Sequence, residues 1–138
     1  MTFLQVLNMV RDTANAVNAD GTFVHGRNSE AATKANKPYP RIHLLPFTQQ
    51  SDPIETHQVR SNMFLQFHKA DTGAQDSKER EEILSEMDTL CNAFVGSITE
   101  NYSKSVQFVT IRTEPQYQVV EGVSGYSLQL EIQTVKGC

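Results

Sequence analysis

The chain has 138 residues, a formal net charge of −4, 20% charged and 38% hydrophobic residues. That length fits one domain able to bury roughly 70% of its unfolded surface without a staple, and the composition is too apolar for a disordered chain. No run of Lys or Arg supplies the footprint of a duplex-binding protein, and no stretch approaches the ~20 apolar residues of a membrane span.

Residues 2–18 read as a helix. Phe3, Leu4, Leu7, Val10, Ala14 and Val17 recur at steps of three and four and form one apolar stripe, closed by the turn residues Asn18-Ala19-Asp20-Gly21. The stripe predicts a face packed on the core. The start lacks the basic residues and long apolar run of a signal peptide. Residues 22–27 are a short strand. Asn28–Pro40, rich in Asn, Ala and Lys, reads as a long loop or arm, and a connection of that length is often functional. Residues 41–49 form a second strand, which Pro46, lacking an N–H, places at an edge or a bulge.

Residues 54–69 alternate. Val59, Ser61, Met63, Leu65 and Phe67 share one face; Arg60, Asn62, Gln66 and His68 take the other, with Phe64 the exception. Asp76 stands three residues before Glu79, which suits a capping box, and Glu79, Glu81 and Glu82 favour a helix N-terminus. Ile83, Leu84, Met87, Leu90, Cys91, Phe94, Ile98 and Tyr102 then repeat at helical spacing, which predicts a helix over Ser77–Tyr102 with Gly96 as its weak point. Beyond it, Ser105–Thr113 reads as strand, Pro115 as an interruption, 116–121 as extended, and Gly122-Val123-Ser124-Gly125 as a turn. Tyr126, Leu128, Leu130 and Ile132 alternate with Ser127, Gln129, Glu131 and Gln133 in a last strand with one core face and one wet face. This order predicts a single α+β domain over residues 1–138: a mostly antiparallel sheet of four to six strands, with the N-terminal helix and one long central helix packed on one face.

Reactive chemistry has little to stand on. His25, His43, His57 and His68 lack acidic or thiol partners at ligand spacing, so they read as surface or strand-face residues, although His25 and His43 fall on neighbouring strands. Cys91 lies on the buried helical stripe and Cys138 is the last residue, an arrangement unlike a disulfide framework and suited to a reducing compartment. The first-turn glutamates fan outward instead of converging. No phosphate loop, serine elbow or zinc-helix motif is present. No catalytic, cofactor-binding or metal-ligating residue is assigned, and no cofactor is expected.

The element order resembles that of the neck and tail-completion proteins of tailed bacteriophages, the tail-terminator group in particular. The likeness runs through the helix at Phe3–Val17, the strands around Arg41–Phe47 and Val59–His68, the helix Ser77–Tyr102, and the closing Ser124-Gly-Tyr-Ser-Leu-Gln-Leu-Glu-Ile-Gln. Phe23-Val-His-Gly-Arg-Asn and Ile42-His-Leu-Leu-Pro-Phe add to it. The resemblance implies a virion protein assembled in a host cytoplasm: a ring of identical subunits, commonly six, at the head-proximal end of a tail tube. Its partners would be itself, the tail-tube protein and the neck or connector proteins. DNA would pass through the lumen without sequence-specific binding, and no membrane would be involved. A closed head-to-tail ring needs two different complementary patches on each subunit. On this reading Arg27, Lys34, Tyr39, Arg60 and Arg112, in loops or on strand faces, are the expected contact residues, and the 28–40 arm reaches a neighbour. A head-closure adaptor of the same neck is the alternative, and a small cytoplasmic enzyme or ligand-binding domain is the alternative of another class.

Overall fold

The computed structural model describes residues 1–26, 39–51, 58–70, 77–120 and 123–135. Helix α1 spans Phe3–Val17. Thr2 caps it reciprocally: its hydroxyl accepts from the Gln5 N–H at 3.2 Å, and the Gln5 side chain accepts from the Thr2 N–H at 2.7 Å. Asn18 closes the helix, and its side chain donates to the Pro40 carbonyl at 2.8 Å, tying the helix end to the start of the second strand. The Tyr39–Pro40 peptide is cis.

Six strands follow the order of the chain: β1 Thr22–His25, β2 Arg41–Leu44, β3 Thr48–Ser51, β4 Gln58–Ala70, β5 Gln107–Val120 and β6 Val123–Val135, with helix α2 at Ser77–Tyr102 between β4 and β5. They form one sheet in the order β1-β2-β4-β6-β5, with β3 also pairing β4. Among the described residues only β1–β2 is a parallel pair. The sequence expectation of an α+β domain with a mostly antiparallel sheet therefore holds, and α2 has the predicted bounds.

The effect of Pro46 is local. Leu44 pairs Leu65 and Thr48 pairs Asn62, so the β2–β3 side advances four residues while β4 advances three. The extra residue is a bulge across Leu45–Phe47, which lets a residue without an N–H sit beside the ladder. The single strand expected over 41–49 is divided into β2 and β3, and two further boundaries differ from the sequence reading. β5 runs through Pro115, which pairs Tyr126 on an edge strand, where a missing N–H costs no ladder bond. Ser124 and Gly125 belong to β6 and pair Lys69 and His68, so the expected turn over 122–125 is strand from Val123 onward.

The pleat sorts the side chains. On the helix side, Val59, Ser61, Met63, Leu65 and Phe67 of β4 face Thr134, Ile132, Leu130, Leu128 and Tyr126 of β6, and all but the half-buried Tyr126 are buried. Val6, Leu7, Met9, Val10 and Ala14 of α1 and Ile83, Met87, Cys91, Phe94 and Ile98 of α2 close over them, with Ile42 and Leu44 of β2 in the same cluster. Phe67 and Phe94 meet edge to face at 5.6 Å between centroids. Fully burying each such side chain contributes about 1.5–3 kcal/mol before entropy is counted, so this one core carries the fold. Among the described residues no helix is long and apolar enough to cross a membrane.

Candidate assembly surfaces

Among the described residues the large apolar side chains that stay exposed are Phe3 (42%), Leu4 (59%), Phe64 (44%), Val109 (41%) and Ile111 (42%). Their places follow from the topology. Val109 and Ile111 lie on β5, one edge of the sheet. Phe3 and Leu4 begin α1, which packs on α2 and on β1 at the opposite edge.

At the α1 end, Phe3 stacks on Phe47 with centroids 4.7 Å apart, and the His25 ring tilts against both at 6.5 and 6.1 Å. This aromatic shelf is built from the first turn of α1, the end of β1 and the Pro46 bulge. The sequence put Phe3 and Leu4 on the core stripe. The structure turns the stripe slightly, burying Val6, Leu7, Met9, Val10, Thr13 and Ala14, and leaves the first turn overhanging the sheet edge.

At the other end, β5 is blunted against casual strand pairing. Its register with β6 skips Val109, which a bulge turns outward; Pro115 removes a donor; Arg112 and Glu114 are exposed, 3.8 Å apart. Bulges, proline and charge are the devices by which edge strands avoid unspecific sheet extension. What remains for contact is side-chain surface, chiefly Val109 and Ile111.

The sheet face away from the helices has two characters. Its lower part is wet and hydrogen-bonded across strands: Arg60 reaches Glu131 at 3.3 Å and donates to Gln133 at 3.1 Å, Gln133 donates to Gln58, and Gln129 donates to Asn62 at 3.4 Å. Phe64 stands exposed amid these amides. The upper corner is buried although it is polar: Arg41, His43, Gln66 and His68 are each at most 7% exposed. The guanidinium of Arg41 lies 4.6 Å from the centre of the Tyr39 ring. His43 Nε2 donates to the carbonyl of Gly26, whose φ of 144° suits glycine. Burial, then the neighbouring His43 and Arg41, push the His68 imidazole down to about 4, so it is neutral at neutral pH.

The expected contact residues scatter. Arg27 and Lys34, with the arm at 28–40 as far as residue 38, lie outside the described residues. Tyr39 is half-buried and engaged with Arg41. Arg60 is exposed on the lower outer face, and Arg112 on the β5 edge. The structure does not bring Tyr39, Arg60 and Arg112 together: Arg41 pairs His68 at one end of β4, and Arg60 lies eight residues away, about 27 Å along the strand.

His25 and His43 do fall on neighbouring strands, but His25 pairs Leu44 on the helix side while His43 pairs Val24 and points to the outer face. Among the described residues no three His, Cys, Asp or Glu side chains gather as a metal site. Cys91 is buried in the core, and burial with the nearby Asp88 pushes its thiol up to about 12. The aromatic shelf and the buried basic corner are the features sequence reasoning missed. The shelf had one signal: Phe47 follows directly on the bulge-forming Pro46. No protein-family model and no curated protein sequence matches the chain.

Proposed function

We propose that this chain is a virion structural protein that forms a ring at the head-proximal end of a phage tail, joining tail tube to neck as a terminator or completion protein. The observation that carries the reading is that, among the described residues, four of the five large exposed apolar side chains lie at opposite sheet edges, the Phe3–Leu4 shelf at one and Val109–Ile111 at the other, with Phe64 alone on the face between. A closed head-to-tail ring needs two unlike patches facing in opposite directions, whereas a two-fold dimer needs one self-complementary patch. The blunted β5 edge fits as well, because it lets copies meet through side chains while hindering open-ended sheet growth.

The work on this reading is geometric. One ring face matches the surface to which a further tube subunit would add, and the other does not offer it, so growth stops. The lower outer face suits a DNA passage. Arg60 and Arg112 are matched by Glu131 and Glu114, and the amides between are hydrogen-bonded to each other, so among the described residues no cationic stripe on this part of the face holds phosphates.

The test is electron microscopy of particles assembled without this chain. Overlong tails support the terminator reading, and tailless filled heads move the protein to the head-closure position of the same neck. Normal particles refute both.

A further inference from the structure

We propose that copies of this chain join by a seat in which the first turn of α1 from one copy lies on the uncovered helix-side ledge of β5 in the next, supplying the cover that the chain's own two helices do not reach. The inference rests on the ring reading and names the surface through which the copies meet. The register builds the ledge. Ile111, Thr113 and Pro115 of β5 pair Leu130, Leu128 and Tyr126 of β6, so all three stand on the side where the helices pack. On that side Leu128 and Leu130 are 0% exposed, yet Ile111, one strand further out, is 42% exposed. Thr113 and Pro115 are exposed as well. Phe108, earlier on β5, still packs against the core. Beyond it, among the described residues, the helical layer ends one strand short. A sheet face on the core side that meets no second layer is a place for another element to pack.

The α1 shelf fits that place in size and in height. Ile111 to Pro115 spans about 13 Å along the strand, and a helix with its side chains is about 10–12 Å across. Phe47, on which Phe3 stacks, lies in the bulge between Leu44, which pairs Leu65, and Thr48, which pairs Asn62. It is therefore level with Met63, and Met63 pairs Leu130, the partner of Ile111. Shelf and ledge thus sit at one height on opposite edges of the sheet. A copy added through this contact turns about an axis along the strands with little rise, which lets a ring close; a step in height would build an open helical filament.

Charge favours the same pairing. Residues 1–11 hold no Asp or Glu and include Arg11, and the start of α1 adds positive partial charge with no acidic residue in its first turn. Helix α2, which packs on β6 and reaches β5, holds six acidic and two basic residues. The shelf of one copy is therefore drawn to the α2 side of the next, while two ledges facing each other would bring two acidic helices together and repel. That difference selects the head-to-tail contact over a two-fold one.

The test is disulfide trapping in the full chain carrying Cys138→Ser, with Cys91 buried in the core. Leu4→Cys is combined with Thr113→Cys in one variant and with Glu114→Cys in a second; all three positions are exposed, and Glu114 pairs Ser127 and so belongs to the outer face. A disulfide forms only where Cα atoms come within about 7 Å and the Cβ atoms face each other, so the pair of variants tells the helix side of β5 from the other side. Under mild oxidation the Thr113 variant should run as a ladder of covalent multimers on a non-reducing gel, up to the size that light scattering gives for the wild-type oligomer. The Glu114 variant should lose that ladder. If the discrete oligomer forms and the Thr113 variant gives no ladder, or the Glu114 variant gives an equal one, the seat is overturned and the ring reading stands. Monomers only, with and without tail tubes, overturn both.

Discussion

His68 makes the stability of this protein depend on pH in a defined window. In the unfolded chain its imidazole titrates near 6.5; in the fold, burial and the adjacent His43 and Arg41 lower this to about 4. Between these values the unfolded chain takes up a proton that the folded chain refuses. Stability is therefore full above pH 6.5, falls as pH drops toward 4, and loses nothing further from this group below that. At 1.36 kcal/mol per pH unit the whole effect is about 3 kcal/mol, most of it realised between pH 7.5 and 4.5. That is a large share of the 5–15 kcal/mol typical of a domain. Urea denaturation at pH 7.5, 6.5, 5.5 and 4.5, in buffers free of phosphate and carboxylate, should show the midpoint falling steeply below 6.5 in the wild type. In His68→Gln the same series should be flatter by about 2 kcal/mol across the window. Equal slopes in the two proteins would refute the burial argument, because then His68 titrates alike in the folded and unfolded chain.

Gly96 is exposed in α2 with nothing within 4 Å of where a Cβ would stand, so Gly96→Ala should stabilise by about 0.5–1 kcal/mol and raise the melting temperature by about 2–4 °C in calorimetry. Pro115→Val would restore an N–H and a β-forming residue on the open edge, and light scattering at rising concentration should reveal aggregation that the wild type resists. In a Cys138→Ser variant the Cys91 thiol, buried and pushed up to about 12, should stay unmodified by a thiol reagent at pH 8 until denaturant is added.

The sequence was informative where one element meets one solvent boundary. Period two over residues 54–69 placed Ser61 with the core and Phe64 with the polar face, and both are found there. The stripe from Ile83 to Tyr102 marked a helix whose bounds the structure repeats. Where a residue's role depends on what lies opposite, the same patterns fell short. Alternation assigns Gln66 and His68 to the outer face, yet carries no information that Arg41 will pair His68 or that the corner will be buried. Gly125 reads as a turn residue in isolation, but its glycine is demanded by the close approach of the Phe67 carbonyl across the sheet. Pro115 reads as a breaker because local rules do not say which strand lies at the edge. The exposure of Phe3 and Leu4 depends on where α1 ends relative to β1, a tertiary fact. His25 and His43 shared neighbouring strands as expected, but adjacent register positions point to opposite faces, and that parity needs the pairing itself.

The most direct test of head-to-tail assembly is a mixing experiment read by light scattering. Leu4→Asp spoils the α1 shelf and leaves the β5 patch intact; Ile111→Asp does the reverse. Each variant alone should remain monomeric under conditions where the wild type closes into one discrete oligomer. An equimolar mixture should form a one-to-one pair and stop, since the only contact left joins one good patch of each. A wild type that is monomeric at every concentration, alone and with tail tubes, or variants that assemble unimpaired, would contradict the account.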